Sequence, residues 1–192
     1  MIQINDKYFD TFIDKNRILS EVAHLATFLN SDYKGQEVIF ISVLNGSFMF
    51  TSDLMKNIDL DCEVSFIKVK SYSGTSSTGE VNEIIGLTSS ITNKHIVILE
   101  DIVDSGLTLD KIKKLITKEN PKSLKTCALM FKPEAFKGEF KPEYIGFSIA
   151  NEFVVGYGMD YNEKGRNLED IYLLNKEANQ VKTKSPSLVE IN

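Results

Sequence analysis

The sequence contains no tryptophan and only two cysteines, Cys62 and Cys127. Both cysteines lie in apolar, strand-like surroundings, so we favour two unpaired thiols in a cytoplasmic protein over the alternative of a disulfide. No apolar run approaches the ~20 residues that a membrane-spanning helix needs. The first ten residues also lack the basic region and apolar stretch of a secretory signal. We therefore expect a cytoplasmic protein with no membrane partner.

An excess of basic residues is also absent. The chain has 22 Lys and Arg against 27 Asp and Glu, which gives a formal net charge of −5. Such a chain lacks the positive field that binding to nucleic-acid phosphates requires, so no nucleic-acid partner is expected. An anionic ligand would have to be bound by local backbone N–H groups, a few well-placed cations and a metal ion.

Hydrophobic periodicity predicts an alternation of helices with buried strands. The 192 residues fit one domain, residues 1–174, followed by a polar and frayed tail, residues 175–192. An α/β fold with a mostly parallel sheet follows from this alternation, and the strand-rich last third predicts a small attached lobe. Asp14 is the expected N-cap of the first helix. The predicted helices are 14–30, 48–57 and 107–118, and the predicted strands are 37–44, 62–72, 81–88, 96–99, 123–131, 144–149 and 153–155.

The segment 95–109, HIVILEDIVDSGLTL, combines acidic and phosphate-binding features. Its apolar strand runs into Glu100 and Asp101, and the turn from Asp104 to Thr108 opens a helix. Ligands of open parallel sheets bind beyond the carboxyl ends of the strands, where this turn lies. Its small residues and hydroxyls suit a phosphate at a helix N-terminus. Because carboxylates repel phosphate, the acids must bind sugar hydroxyls, a divalent metal or a transferred proton.

Three other interpretations of these glycines and acids explain less. Acidic residues stabilise helix N-termini, but that role does not require two adjacent carboxylates after a buried strand. Residues 74–79 have the glycine spacing of a nucleotide-hydrolase P-loop, but Glu80 stands where lysine is required. A Gly-x-Gly-x-x-Gly dinucleotide motif is missing from the sequence. A site for a sugar phosphate with a metal ion is the remaining interpretation.

The run 97–109 closely resembles the ribose-phosphate binding motif of phosphoribosyltransferases. Residues 42–174 resemble the bacterial hypoxanthine(-guanine) phosphoribosyltransferases, with four motifs in the family's order. The resemblance implies a type I phosphoribosyltransferase fold, with a mostly parallel sheet flanked by helices and a hood lobe built mainly from the last third. It also implies transfer of the phosphoribosyl group from phosphoribosyl pyrophosphate to hypoxanthine and guanine.

The resemblance assigns roles to the acidic segment. Glu100 and Asp101 would hold the ribose 2′- and 3′-hydroxyls with Mg²⁺ nearby. Asp104 would lie beside the purine N7 and take up its proton, as a carboxylate can when that proton becomes acidic in a cationic transition state. Many relatives have lysine at position 107, where this chain has leucine. The residues that would wrap the 5′-phosphate are Ser105, Gly106, Leu107, Thr108 and Leu109.

Residues 42–50, SVLNGSFMF, resemble the family's pyrophosphate loop. In that loop the peptide corresponding to Leu44–Asn45 can be cis, and the contacts, including those at Gly46, are largely made by the main chain. Lysine is frequent in relatives where this chain has Asn45. Arg166 matches a residue that reaches pyrophosphate. An ordinary strand-to-helix turn is the alternative interpretation of the loop.

Ser71 and Tyr72, followed by the small polar residues 73–79, resemble the flexible loop that closes over the family's active site. Closure would exclude water from an oxocarbenium-like centre. A plain surface hairpin loop is the alternative.

Four residues of the later motifs point to the purine. Lys132 matches the lysine that reads the 6-oxo group, since an ammonium only donates hydrogen bonds and so rejects a 6-amino group. Phe153 would stack on the base, Val154 would offer backbone groups to its edge, and Asp160 would line the purine site and bind a second Mg²⁺. The implied Mg²⁺ ligands are Glu100, Asp101 and Asp160.

Two alternatives to this function stay open. One is a phosphoribosyltransferase for another base, such as xanthine or a pyrimidine. The other is a nucleotide-binding regulator that kept the fold and lost catalysis, although the chain has neither an added DNA-binding segment nor a basic face. The sequence leaves open the preference among hypoxanthine, guanine and xanthine. The family resemblance suggests a homodimer or homotetramer.

Overall fold

A central six-stranded sheet forms the body of the protein, as the computed structural model shows. The structure describes residues 1–69, 84–86 and 90–184. All neighbouring strands are parallel except the edge strand β5. The predicted α/β fold with a mostly parallel sheet is therefore confirmed. In order across the sheet the strands are β5 (Ile84–Ile85), β4 (Cys62–Val69), β3 (Val38–Leu44), β6 (His95–Val103), β7 (Ser123–Phe131) and β8 (Tyr144–Ser148).

Helices cover both faces of this sheet. On one face, α1 (Lys15–Asp32) and α2 (Phe48–Met55) pack against the even-numbered side chains of β3. On the other face, α3 (Leu107–Thr117) packs against the odd-numbered side chains of the same strand. Every β3 residue except Leu44 is buried, which explains its continuous apolar sequence. Asp14 caps α1 as predicted, since its carboxylate accepts from the amides of Asn16 and Arg17.

The parallel arrangement brings three chain turns to one edge of the sheet. Strands β3, β6 and β7 end at Leu44, Val103 and Phe131, and their carboxyl ends point the same way. The residues at these ends and just after them carry the pyrophosphate-loop, acidic and lysine motifs of the sequence. The fold therefore gathers motifs that are up to about ninety positions apart in the chain.

A second, antiparallel sheet forms the hood, in the order β1 (Ile2–Ile4), β2 (Lys7–Ile13), β10 (Ile171–Leu174) and β9 (Val154–Val155). Two of its strands come from the first thirteen residues and two from the last third, which was expected to build most of the hood. Only Phe9 and Ile13 of β2 are buried. Such a one-sided strand has too sparse an apolar pattern to be recognised easily.

The predicted frayed tail is also corrected, because it begins with helix α4 (Lys176–Lys184). The Asn179 side chain donates to the carbonyl of Tyr8 and accepts from the amide of Tyr8, at 3.0 and 3.1 Å. These bonds attach the helix to β2. Since polar contacts rather than an apolar face hold this helix, its composition resembled that of an unattached tail. Residues 185–192 lie outside the described part of the chain.

Several smaller expectations have clear outcomes. Neither cysteine forms a disulfide, as predicted, although only Cys127 is fully buried and Cys62 is half-buried. Of the predicted strand 81–88, residues 84–85 form β5 and the remainder lies largely outside the described residues. The predicted closing loop, with Ser71 and Tyr72, also lies outside them. None of the helices in the described ranges has the length and apolar character needed to cross a membrane.

Candidate active site

The acidic segment belongs to a strand rather than to a loop. Strand β6 continues to Val103, and its last residues pair with β7 through Glu100–Ala128 and Val103–Phe131. The expectation that the strand ends at residue 99, with Glu100 and Asp101 following it, was therefore wrong. The change from apolar to acidic residues marks the point where the strand enters the site, while the backbone ladder continues.

Adjacent residues of a strand point to opposite faces, and this separates the two carboxylates. Asp101 lines a cavity of about 220 Å³ on the side of α2. Glu100 lines a smaller cavity of about 110 Å³ beside the start of α3. Asp104, on the turn that follows, lines both cavities. The strand end therefore forms the wall between two adjoining pockets.

The larger cavity gathers most of the side chains that the sequence assigned to the base. Phe153 lies at its edge with 43% of its surface exposed. Its ring is supported by the hood residues Phe9 and Tyr161, with ring centroids 6.2 and 5.9 Å away. A planar ligand could stack on this supported ring. The predicted residues that line this cavity are Asp101, Asp104, Lys132, Phe153, Val154 and Asp160.

Lys132 and Asp104 form an ion pair inside this cavity, with 2.6 Å between Nζ and Oδ2. The β6–β7 register produces this contact, because Val103 and Phe131 are ladder partners and the paired residues come directly after them. The Lys132 side chain is buried, whereas about half of the Asp104 side chain is exposed. A buried ammonium requires a counter-charge, which the carboxylate supplies. The pair offers a hydrogen-bond donor and an acceptor side by side.

The smaller cavity is lined by most of the residues of the predicted phosphate cradle. Gly106 has φ +79°, and a Cβ atom there would lie 2.3 Å from the ring of Phe136. Gly106, the N-cap residue of α3, has no side chain to cap the helix, and the Ser105 Oγ accepts from the Leu107 amide at a long 3.5 Å. The first amides of α3 are therefore weakly capped and suit an anion. Leu107 does not line this cavity, and 52% of its surface is exposed. The predicted residues that line it are Glu100, Asp104, Ser105, Gly106, Thr108 and Leu109.

The predicted pyrophosphate loop connects β3 to α2 and touches the acidic strand. The Leu44–Asn45 peptide is cis, as the resemblance implied, and the Asn45 side chain is exposed. A Cβ atom on Gly46 would lie only 2.0 Å from Oδ2 of Asp101, and one on Gly158 would lie 1.9 Å from the Gly46 carbonyl oxygen. The loop main chain is therefore confined between β6 and the 156–160 turn.

The strand end carries carboxylates that are poorly solvated. Burial raises the pKa of Glu100 well above its ordinary value, and the charge of Asp101 raises it further. Desolvation raises the pKa of Asp101 to about 6, an effect that backbone N–H groups and Arg166 oppose and that Asp160 reinforces. These carboxylates favour a partner that brings positive charge or hydroxyl donors.

Arg166 makes its hydrogen bonds within its own turn. Its guanidinium lies 2.6 Å from Asp160 and 3.0 Å from Glu163, and it donates to the carbonyl of Gly158 at 3.0 Å. It therefore fixes the turn that meets Gly46. Its predicted contact with pyrophosphate stays a prediction.

The carboxylates of the site are candidate ligands for the expected Mg²⁺. Among the described residues, no three His, Cys, Asp or Glu side chains are arranged to hold a metal ion by themselves. Mg²⁺ in phosphate-transferring sites needs only one or two carboxylates, since substrate oxygens and water complete its shell. Asp101 and Asp160 line one cavity, and desolvation of Asp101, which raises its pKa, makes a cation beside it favourable. The residues therefore fit a substrate-bound Mg²⁺.

Some residues of the site were missed by the sequence reasoning. Met159 completes the larger cavity, and the Tyr157 hydroxyl donates to Asp53 at 2.7 Å, which ties the 156–160 turn to α2. The run Gly-Tyr-Gly was a usable signal, because paired glycines mark a backbone under special constraint. Phe136, which covers Gly106, had no comparable signal.

A comparison with protein families matches residues 10–162 to the phosphoribosyl transferase domain. The chain belongs to this family. Among curated members of the family, the hypoxanthine-guanine phosphoribosyltransferase of Staphylococcus aureus (strain Mu50) is 45% identical over 150 residues, covering 78% of this chain and 84% of the relative. The enzyme of the same name from Mycobacterium bovis is 40% identical over 162 residues, covering 81% and 80%.

Solved structures of the phosphoribosyltransferase family have the same fold. A hypoxanthine-guanine phosphoribosyltransferase from Bacillus anthracis superimposes with a TM-score of 0.77 at 39% identity, covering 86% of this chain and 97% of that one. A hypoxanthine phosphoribosyltransferase from S. aureus gives a TM-score of 0.80 at 37% identity, covering 91% and 95%. The type I phosphoribosyltransferase fold is therefore confirmed for this chain.

The contact between Gly46 and Gly158 leads to a first prediction. Alanine at position 158 should lower the free energy of unfolding, since both its positive φ and its clash with the Gly46 carbonyl are unfavourable. Gly35→Ala is the matched control, because Gly35 also has a positive φ but nothing lies within 4 Å of the added methyl. We expect ~1–2 kcal/mol of destabilisation for the control and ~1–3 kcal/mol more for Gly158→Ala, measured by urea unfolding. Equal losses would contradict the close approach.

The raised pKa of Asp101 leads to a second prediction. Its pKa rises from 3.8 to about 6 on folding, so between these values the folded state holds a proton that the unfolded state has lost. The free energy of unfolding therefore falls as pH rises through this window, and the cost is fully present above pH 6. Since asparagine cannot ionise, Asp101→Asn should raise the free energy of unfolding at pH 7.5 by ~1–2 kcal/mol, a value reduced for partial exposure.

The measurement is urea unfolding at pH 4 and pH 7.5. At pH 4 the stabilisation by Asp101→Asn should largely disappear. Asp59→Asn, which replaces an exposed carboxylate just before β4, serves as the control and should show no such pH-dependent gain. A gain of equal size at both pH values would show that ionisation of Asp101 is not its cause.

Proposed function

We propose that this protein is a purine-salvage enzyme that transfers the 5-phosphoribosyl group from phosphoribosyl pyrophosphate to hypoxanthine and guanine. The observation that carries the proposal is the Lys132–Asp104 pair in the cavity edged by Phe153. On a 6-oxopurine, O6 and N7 lie side by side on one edge of the ring system. A donor and an acceptor in contact fit that edge, and the exposed Phe153 ring fits its face.

The base would be recognised by the Lys132 ammonium and by backbone groups of Val154. The Lys132 ammonium donates to O6, and an exocyclic 6-amino group would place hydrogens against it, so adenine is rejected. Backbone groups of Val154 lie at the same cavity and can meet the far edge of the ring. The alternatives of xanthine or a pyrimidine are decided by direct comparison of bases.

In the chemical step the purine N9 attacks C1′ of the ribose. The N9–C1′ bond forms, the bond from C1′ to the pyrophosphate oxygen breaks, and the proton on N7 passes to Asp104. Half of the Asp104 side chain is exposed at the cavity, which gives it access to a bound base. Proton removal by a positioned carboxylate makes the attacking nitrogen a better nucleophile.

The sugar phosphate would be bound across the wall between the cavities. The weakly capped N-terminus of α3 and the Ser105 and Thr108 hydroxyls suit the 5′-phosphate. Glu100 and Asp101 suit the ribose hydroxyls, since buried carboxylates are strong hydrogen-bond acceptors.

The pyrophosphate would lie against the main chain at Leu44, Asn45 and Gly46. We propose Mg²⁺ as the cofactor, with Asp101 and Asp160 as ligands at the larger cavity and Glu100 as a ligand for an ion at the smaller cavity, on the other side of the strand. When bound, Mg²⁺ would neutralise charge on the leaving pyrophosphate. Arg166, which already pairs with Asp160, would orient that carboxylate.

We further propose that the chain works in the cytoplasm as a homodimer or homotetramer. The unpaired Cys62 and Cys127 suit a reducing compartment. Assembly is supported by the exposed apolar side chains of Phe48, Val64 and Phe66, each more than 40% exposed.

The function is tested by pyrophosphate release. With phosphoribosyl pyrophosphate and Mg²⁺, hypoxanthine and guanine should react and adenine should not, at equal concentrations. Asp104→Asn preserves shape but cannot accept the proton, so it should lower kcat by ~10²-fold or more. Glu134→Gln, an exposed change two residues from Lys132, is the control and should retain the wild-type rate.

Each assay has an outcome that contradicts the proposal. Release with adenine, or with none of the purines, would refute the assigned substrate class. Wild-type kcat in Asp104→Asn would remove this carboxylate from the proton-transfer step.

A further inference from the structure

Three hydroxyl groups lie beneath the pyrophosphate loop in an otherwise apolar region. Ser42 near the end of β3, Ser47 just before α2 and Thr51 in its first turns are 0%, 0% and 2% exposed. The Ser42 Oγ lies 2.8 Å from the Ser47 Oγ and 2.7 Å from the Thr51 Oγ1. The Ser47 hydroxyl also lies 2.6 Å from the carbonyl oxygen of Val43.

The direction of every hydrogen bond in this group can be derived. A carbonyl oxygen only accepts, so Ser47 donates its single proton to Val43. Ser42 must then be the donor to Ser47, and because Ser42 has only one proton, Thr51 must be the donor to Ser42. The hydroxyls thus form a one-way chain from Thr51 through Ser42 and Ser47 to the Val43 carbonyl.

The last hydrogen bond of this series joins the residues on the two sides of the loop. Val43 comes immediately before the loop residues 44–46, and Ser47 comes immediately after them. The Ser47 amide also donates to the Val43 carbonyl, at 3.3 Å. The two ends of a three-residue loop are therefore tied to each other, and through Ser42 and Thr51 to the strand and the helix that flank it.

We propose that Ser42, Ser47 and Thr51 are positioning residues for the pyrophosphate loop, which they hold in the geometry that binds phosphoribosyl pyrophosphate. The inference rests on the proposed function, since that function makes residues 44–46 the pyrophosphate site. The Asn45 side chain is exposed, so the main chain is the part of this loop whose position is fixed. Its placement is critical because Gly46 fits tightly between Asp101 and Gly158.

Packing alone does not account for these residues. Burying three hydroxyls is costly unless each is hydrogen-bonded, and small apolar side chains would fill the same space without that requirement. Ser42 interrupts the run VIFISVL, in which all six remaining residues are apolar. Hydroxyls add what apolar packing lacks, which is a defined orientation of the Val43 carbonyl.

The experiment compares substitutions that remove or retain a link. Thr51→Val keeps the shape and removes the first donor, while Thr51→Ser keeps the hydroxyl. Ser42→Ala removes the middle of the hydrogen-bonded chain, so that Thr51 loses its acceptor and Ser47 loses the hydrogen bond it accepts, and it should have the larger effect. Ser52→Ala, an exposed serine next to Thr51 on the same helix, is the control.

Two readouts are taken on the full-length protein. The first readout compares, for each variant, the KM for phosphoribosyl pyrophosphate with the KM for hypoxanthine. Loss of a buried hydrogen bond should raise the former on the order of tenfold in Ser42→Ala and less in Thr51→Val, with the KM for hypoxanthine unchanged. The second is amide hydrogen exchange, which should become faster at residues 44–46 and remain unchanged in β7.

The outcomes separate this proposal from the proposed function. If the wild type releases no pyrophosphate with any purine, the proposed function fails, and unchanged exchange at residues 44–46 in Ser42→Ala would then refute the positioning role as well. With an active wild type, four results would overturn the proposal. These are an unchanged KM for phosphoribosyl pyrophosphate in both variants, equal rises in both KM values, faster exchange throughout the chain, and the failure of Thr51→Ser to restore the wild-type behaviour.

Discussion

The contact between Lys132 and Asp104 depends on strand register and in turn determines the chemistry of the site. Because Val103 and Phe131 are partners at the ends of β6 and β7, the next residue of each strand meets the other. The lysine is buried and would be costly without its carboxylate partner, while the carboxylate stays half exposed to a ligand. In the proposed function, a purine entering this cavity would meet a donor and an acceptor that are already oriented, so little reorganisation would be needed on binding.

The negative net charge of the protein restricts how the site can bind phosphates. A protein with a net charge of −5 has to bind a diphosphate without a broad positive surface. In the proposed function, the N-terminus of α3, whose N-cap is a glycine, would bind one phosphate and the confined main-chain loop would bind the others. The carboxylates on β6 face opposite sides of the strand, and desolvation by burial raises the pKa of both, so that their charged forms are costly without a cation. A metal ion that arrives with the substrate would stabilise these charged forms.

Much of this arrangement could be predicted from sequence. Strand β7 has the predicted bounds, and the ends of β3 and α1 differ from the prediction by at most two residues, since continuous apolar runs and a capping aspartate are strong local signals. The grouping of Asp104, Lys132 and Phe153 followed from family motifs. The hood and α4 could not be predicted in the same way, because β2 buries one face only and α4 is held by side-chain-to-backbone hydrogen bonds. The hydroxyl chain beneath the loop depends on distances between residues of separate elements, which composition does not reveal.

The central claim is that the Lys132–Asp104 pair reads the O6–N7 edge of a 6-oxopurine. A crystal structure with inosine 5′-monophosphate tests it most directly. The account predicts the Lys132 Nζ within hydrogen-bonding distance of O6, Asp104 beside N7 and the ring stacked on Phe153. A purine bound with O6 turned away from Lys132, or outside this cavity, would contradict it.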